Sequence, residues 1–199
     1  MGRVLIGVLA GVLGLGAVRF IGVEPARPVH YHANFAVFVD GTRLDLTADR
    51  YMEDVAACSA SEDILPAQRV HLHNGDQDVV HVHHGGVTWG HLFQNLGFGL
   101  GEDYLYADDG RRWSADGERT LKFIANGFEV ATLHDRMIRP GDRVLVSFGP
   151  ESMAEVVASQ FPQVASNAPD FDVMNDPAGC AGASAAPTFL ERLRAAFWQ

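Results

Sequence analysis

Three His-x-His pairs constrain this chain more than any other feature, because they alternate with apolar residues at the period of a β-strand. The pairs are His30/His32, His71/His73 and His81/His83. Side chains alternate between the two faces of a strand, so each pair places both imidazoles on one side, about 7 Å apart. The opposite face of the second and third pairs carries Val70, Leu72, Val80 and Val82. The pattern predicts a sheet with one apolar face and one imidazole face.

The second and third pairs are predicted to form one hairpin around a polar turn at residues 74–78. If this hairpin is symmetric about Gln77, His71 faces His83 and His73 faces His81, so four imidazoles share one patch. A first strand, predicted over residues 29–39, would add His30 and His32 to it. Asp76 and Asp78 are candidate carboxylates for holding the histidine rings in place.

Neutral imidazoles are good ligands for Zn²⁺ and Cu²⁺. We therefore predict a copper or zinc site, and its candidate ligands are His71, His73, His81, His83, His30 and His32. The same cluster could instead be a polar or pH-responsive group without a metal, and that alternative stays open here. Three further histidines are left out because of their strand parity or their place on a helix or loop: His84, His91 and His134.

Turn and cap signals divide the rest of the chain into short elements. Asp40-Gly41 and Asn126-Gly127 are the dipeptides that two-residue hairpins need, and Thr88 can cap a helix over residues 89–96. These signals predict an α+β, mainly β domain over residues 24–149, built from antiparallel hairpins with a few short helices.

The N-terminal segment is apolar from residue 4 to 18 and continues, past Arg19, to residue 23. Twenty residues of helix span about 30 Å, enough for a hydrocarbon core if Arg19 reaches the interface. We expect residues 1–23 to be a transmembrane helix of a bacterial inner membrane, with Arg3 inside and the domain periplasmic. A cleaved signal peptide is the alternative. In an oxidising compartment Cys58 and Cys180 could form a disulfide, or they could be two unrelated buried side chains.

The C-terminal segment, residues 150–199, reads as a helix, an irregular tail and a final amphipathic helix. Residues 161–187 show no period and are too polar to fold alone, so we expect them to need a surface from outside the tail. We expect a partner to supply this surface, and the domain itself could supply part of it. Thr188 and Glu191 form a capping box for the last helix. The residues predicted to dock other membrane-protein subunits or a bilayer interface are Phe189, Leu193, Phe197 and Trp198.

Charge and motif content narrow the function. A formal net charge of −10 argues against nucleic acid, whose phosphates need a basic surface. The chain has no G-x-S-x-G, no H-E-x-x-H and no phosphate loop, so we expect no enzyme activity. The expected function is a non-catalytic, membrane-anchored accessory subunit of a larger membrane complex with a metal-capable histidine patch. A free-standing periplasmic copper- or zinc-binding or delivery protein is the alternative, and a metal-dependent hydrolase or lyase ranks third.

The order of the motifs resembles an uncharacterised group of exported bacterial and archaeal domains. Those domains open with H-x-H, carry H-x-H-D-G followed by I-H-V-E, and then L-G-x-x-F and an N-G hairpin. The matching segments here are His30-Tyr31-His32, residues 70–75, Val80-His81-Val82, residues 89–93 and Asn126-Gly127. The resemblance covers residues 29–149 and implies a shared histidine cluster, with no settled activity.

This chain departs from that pattern at two positions. Asn74 stands where the group has Asp and His83 where it has Glu, which makes the site richer in nitrogen and favours copper or zinc. One anchor helix, a β-rich domain and a long tail also resemble accessory subunits of bacterial photosynthetic reaction-centre and light-harvesting complexes. That resemblance implies a place in a photosynthetic or respiratory assembly.

Overall fold

The computed structural model describes residues 14, 15, 20, 29–53, 65–172, 189, 193, 194 and 197. The chain forms two compact units, Val29–Gly182 and a second unit made from Met1–Pro28 and Ala183–Gln199. In the second unit the described residues are helical, and the ring of Phe20 meets that of Phe189 edge-on, with centroids 5.5 Å apart.

The larger unit is built mainly from short strands. Its strands are β1 (Tyr31–Val39), β2 (Thr42–Arg43), β3 (Val70–His71), β4 (Val79–Val82), β5 (Phe98–Leu100), β6 (Tyr104–Ala107), β7 (Arg112–Ser114), β8 (Thr120–Ala125), β9 (Phe128–Val130) and β10 (Arg143–Gly149). Its α-helices are α1 (Pro66–Arg69), α2 (Trp89–Asn95), α3 (Met153–Ser159) and α4 (Ala168–Asp172), with 3-10 turns at Asp49–Tyr51 and Phe161–Gln163. The prediction of an α+β, mainly β domain is confirmed.

The predicted transmembrane helix is the part of the fold prediction that is wrong. Among the residues that the structure describes, no helix combines the length and the apolar composition needed to cross a membrane. The α-helices of the larger unit have at most seven residues, whereas a span needs about 20. Most of the segment on which the prediction was made, residues 1–13, 16–19 and 21–23, lies outside the described residues.

Seven strands form one mixed sheet in the order β3-β4-β1-β10-β8-β9, with β2 also paired to β1. β1 and β10 run parallel, with Phe35 opposite Val144, whereas the other named strand pairs are antiparallel. The prediction of antiparallel hairpins therefore missed this central pair. The two strands are separated by about a hundred residues of chain, so no local turn announces their pairing. A separate antiparallel sheet of β5, β6 and β7 was not predicted either.

The hairpin turns follow the predicted chemistry. Asp40 and Gly41 both have positive φ angles, 46° and 76°, and join β1 to β2. Asn126 and Gly127, at 55° and 86°, join β8 to β9 in the same way. Positive φ at both central residues is what a type I′ turn requires, and its twist matches that of the flanking strands.

Both faces of the large sheet are covered, because β1 is buried on both sides along nearly its whole length. One face packs onto the main core, where Phe35 and Trp89 are fully buried with ring centroids 6.3 Å apart. On the other face Phe38 and Leu145 form a smaller core with Val156 of α3. The even-numbered residues of β1 point to this second face. His32 therefore lies on the same face as Phe38.

Residues 161–172, which we call the strap, extend across that second face. Arg143 of β10 donates from Nε to the carbonyl of Ala165 at 2.9 Å. Asn34 of β1 donates from Nδ2 to Oδ1 of Asn167 at 2.9 Å, and its own Oδ1 accepts from the backbone nitrogen of Ala168 at 2.9 Å. The strap thus packs on its own domain, which supplies part of the surface that the tail was predicted to need from outside itself.

Candidate metal centre

The strand order brings the three His-x-His pairs together. β4 lies between β3 and β1, and His81 of β4 pairs with His71 on one side and with His32 on the other. His71, His81 and His32 thus form a row across the three strands. Beside this row, His30 stacks on His83 with ring centroids 4.9 Å apart, and the ring centroids of His73 and His81 are 3.6 Å apart. All six predicted histidines occupy one patch of the second sheet face.

The predicted register of the β3–β4 hairpin is wrong by two residues. His71 lies opposite His81, not His83, and Val70 lies opposite Val82. The pairing centres the hairpin on Asp76 instead of Gln77, and Asn74 and Gly75 at the start of the turn take positive φ angles of 58° and 71°. A shift of two residues preserves strand parity, so every histidine keeps its face. The error changes which imidazoles are neighbours but not which face they share.

Three of the histidines, His30, His32 and His81, each offer a ring nitrogen within 4.8 Å of the other two. The Nε2 of His32 and the Nδ1 of His81 are 3.0 Å apart. Nitrogen ligands at about 2.0–2.1 Å from a tetrahedral metal are separated by about 3.3 Å. The His32–His81 pair is therefore already near the spacing of two ligands on one metal. The widest separation in the triad must shorten by at most about 1.5 Å, which rotation of an imidazole ring can supply.

The other three histidines surround this triad. His73 places Nε2 at 2.9 Å from Nδ1 of His81. His71 has Nδ1 at 2.9 Å from the carbonyl oxygen of Ala67, which only accepts, so its proton lies on Nδ1 and its lone pair on Nε2. His83 stacks on His71 as well as on His30, and among the described residues neither of its ring nitrogens has a hydrogen-bond partner.

Burial keeps the central imidazoles neutral. It lowers the pKa of His81 far below its usual 6.5, and the neighbouring His73 and His32 lower it further. Burial likewise lowers the pKa of His83 to about 3, with His71 and His30 contributing. The charged form is disfavoured because an imidazolium loses its hydration and meets other imidazoles. Near neutral pH both rings therefore offer a lone pair without losing a proton first.

Two residues of the strap complete the centre, and the sequence analysis missed both. Asp172 places Oδ1 at 2.6 Å from Nδ1 of His32 and 3.0 Å from its backbone nitrogen. The ring of Phe171 lies 5.7 Å from that of His32 and 6.1 Å, edge-on, from that of His81. Nothing in the sequence pointed to them, because they lie in a stretch without period, about 140 positions from His32.

The acidic residues that the sequence favoured have other partners. Asp78 forms an ion pair with Arg43, and its backbone nitrogen donates to Oδ1 of Asp76 at 2.8 Å. Both carboxylates stabilise the turn and the edge beside β2. The carboxylate that holds a histidine is Asp172, from the other end of the domain.

The remaining predicted residues lie elsewhere. Cys58, Cys180 and Trp198 are outside the described residues, so the predicted disulfide stays a prediction. In the smaller unit Phe189 and Phe197 are 67% and 36% exposed, and Leu193 is half-buried. Their role in docking a partner also stays a prediction. The three histidines that we left out of the site are all exposed: His84, His91 and His134.

The fold and the cluster together define a mixed-sheet α+β domain with a patch of six imidazoles, four of them buried and two half-buried, closed by a strap that supplies one carboxylate. No protein-family model, curated protein or solved structure matches the chain. The interpretation of the site therefore depends on its own geometry and chemistry.

Proposed function

We propose that this chain is a transition-metal-binding protein that holds Cu²⁺ or Zn²⁺ through His30, His32 and His81. The observation that carries the proposal is the convergence of one ring nitrogen from each of these residues within 4.8 Å, on a buried sheet face. Convergence of these three imidazoles needs the start of β1, which carries His30 and His32, to pair with β4 in the right register, and the rings must give up their hydration. The free energy of metal binding would offset this loss of hydration.

The donor set selects the class of metal. The three ligands offer imidazole nitrogen only, whereas Ca²⁺ and Mg²⁺ require oxygen ligands. Among divalent first-row ions, nitrogen sites bind Cu²⁺ most tightly, and Zn²⁺ accepts three or four histidines. His73 supports a fourth coordination position, because its Nε2 is already 2.9 Å from a proposed ligand atom, Nδ1 of His81.

The burial of the site favours holding a metal over catalysis. His32 and His81 are 1% and 2% exposed, and the strap lies over them through Phe171. A catalytic metal keeps an open position for water and substrate, whereas a structural or storage site is enclosed by its ligands. We therefore assign metal binding without catalysis. The accessory-subunit role stays a prediction.

The test is metal titration of the full chain after removal of metal with a chelator. Calorimetry with Zn²⁺ and Cu²⁺, followed by elemental analysis after dialysis, should give about one tightly bound ion per chain. The variant His81→Gln should lose that ion, whereas His134→Gln, the same change at an exposed histidine, should keep it. Copper bound at the site should show hyperfine coupling to several nitrogens in its electron paramagnetic resonance spectrum.

Two results would overturn the proposal: absence of a tightly bound ion on the intact chain, or equal affinity in the His81→Gln variant. Circular dichroism of each metal-free variant separates a lost ligand from a lost fold. If His81→Gln does not fold, the milder His30→Gln takes its place, since His30 is less deeply buried than His81.

A further inference from the structure

The carboxylate of Asp172 makes a close polar contact with His32, one of the proposed ligands. Its Oδ1 lies 2.6 Å from Nδ1 of His32, and its side chain is one third exposed, whereas His32 is almost fully buried. An ionised carboxylate has no proton to donate, so the proton of this bond belongs to Nδ1 of His32. In a neutral imidazole the lone pair then lies on Nε2, and that is the atom 3.0 Å from Nδ1 of His81.

The same oxygen also holds the backbone of His32. Pairing of β1 with β10 begins at Asn34, and the backbone nitrogen of His32 donates to Oδ1 of Asp172 at 3.0 Å instead. One carboxylate oxygen thus fixes both the backbone and the ring of a single proposed ligand. Two contacts from one atom restrict the ring more strongly than a single bond would, which is how an outer carboxylate orients a histidine for a metal.

The strap brings this carboxylate to the site, and side chains of the sheet hold the strap in place. The amide of Asn34 bonds both Asn167 and the backbone of Ala168, one turn before Asp172. Phe171 packs its ring against His32 and His81 and so shields them from water. Docking of the strap, orientation of His32 and exclusion of water are therefore one structural event.

We propose that Asp172 is the positioning residue of the metal centre and that the strap is its closing element. When the strap docks, Asp172 locks His32 with its proton on Nδ1 and its lone pair on Nε2. Metal binding and strap docking then stabilise each other, because each is more favourable when the other has occurred. This inference depends on the proposed function for its ligand, but its two structural consequences can be measured without metal.

The first measurement is metal affinity of the full chain in three variants. Asp172→Ala removes both contacts and should weaken Zn²⁺ binding about 10- to 100-fold. Asp172→Asn should lose less, because its amide oxygen can accept the same bonds without the charge. Asp170→Ala is the matched control, since Asp170 is an exposed carboxylate on the same helix. It should bind Zn²⁺ with the affinity of the natural chain.

The second measurement uses the metal-free chain. Long-range ¹⁵N–¹H correlation spectra of the imidazoles should show His32 with its proton on Nδ1, and Asp172→Ala should return it to a mixture of tautomers. A merely structural role for Asp172 would lower stability without this change at one ring. Hydrogen exchange supplies the third measurement: amides of residues 164–172 should exchange faster in Asp172→Ala, and added Zn²⁺ should slow them in the natural chain.

The failures are distinguishable. If the natural chain binds no metal but Asp172→Ala shows the changed His32 tautomer and the faster exchange of residues 164–172, the proposed function falls and the positioning role of Asp172 stands. If the natural chain binds metal while Asp172→Ala keeps the same affinity and the same His32 tautomer, the positioning role is overturned. If the natural chain binds Zn²⁺ and strap exchange is unchanged upon its addition, the coupling between docking and binding is overturned.

Discussion

Acid should destabilise the metal-free chain through its buried histidines. The pKa of His83 is about 3 and that of His81 is lower still, against a usual value of 6.5. Between the folded and unfolded values the unfolded chain binds more protons, so stability falls as the pH falls below 6.5. The contribution of each neutral ring to the free energy of unfolding is fully present above pH 6.5. It is lost progressively as the pH falls towards the pKa of that ring in the folded chain.

The size of the effect follows from these values. At pH 5 both rings stay neutral in the folded chain, because both folded pKa values lie well below 5. The pH is then about 1.5 units below the usual pKa of each unfolded histidine. At about 1.4 kcal/mol per unit, protonation of the unfolded chain lowers the free energy of unfolding by about 2 kcal/mol per ring. The two together remove about 4 kcal/mol between pH 8 and pH 5, a large share of the 5–15 kcal/mol typical of a domain.

Urea unfolding of the full chain with chelator present, at pH 8 and pH 5, measures this difference. The variant His83→Gln cannot titrate at that position, so its pH-dependent loss should be smaller by about 2 kcal/mol. The variant His134→Gln changes an exposed histidine and should follow the natural chain. If the natural chain and His83→Gln lose the same free energy of unfolding between the two pH values, the reasoning about buried neutral imidazoles is refuted.

Four further outcomes test the fold and its link to the metal. Leu72→Ala removes a fully buried core side chain and should cost about 2–5 kcal/mol of unfolding free energy in urea, and a loss below 1 kcal/mol would place Leu72 outside the core. Gly127→Val at φ 86° should cost at least about 1 kcal/mol in the same assay, and no loss would exclude the type I′ turn. Asn34→Ala removes the anchor of the strap, so hydrogen exchange of residues 164–172 should accelerate, and unchanged exchange would show that the strap docks without it. Zn²⁺ at 100 times its dissociation constant should raise the free energy of unfolding by about 2.7 kcal/mol in the natural chain, and a constant urea midpoint would argue against binding to the folded state.

The sequence was a good guide wherever the physics is local. Thr88 was predicted to cap a helix, and its hydroxyl accepts from the backbone nitrogen of His91 at 3.3 Å as that helix begins. The Asn126-Gly127 dipeptide was predicted to turn, and it does so with both φ angles positive. Helix caps and tight turns depend on two to four neighbouring residues, so they can be predicted from the sequence alone.

The sequence was a poor guide wherever a segment must choose among distant partners. Residues 161–187 have no period, and we expected them to need a surface from outside the tail. Only the structure shows that residues 161–172 find part of it on β1, through Asn34, and on β10, through Arg143. The transmembrane helix was predicted from the length of an apolar run and its flanking Arg3, and no described helix has the required length and composition. The composition of a segment limits the environments in which it is stable, whereas packing against the rest of the chain decides which of them it occupies.

By itself, the sequence determined that the two histidines of each pair would share one face of their strand, since strand parity survives even a register shift of two residues. Only the tertiary structure decided that His81 lies between His71 and His32 and that β10 joins β1 in parallel. It also decided that Asp172 supplies the carboxylate. Parity is a property of each strand alone, but register, strand order and the docking of a strap depend on which distant surfaces fit together, and no local pattern encodes that choice.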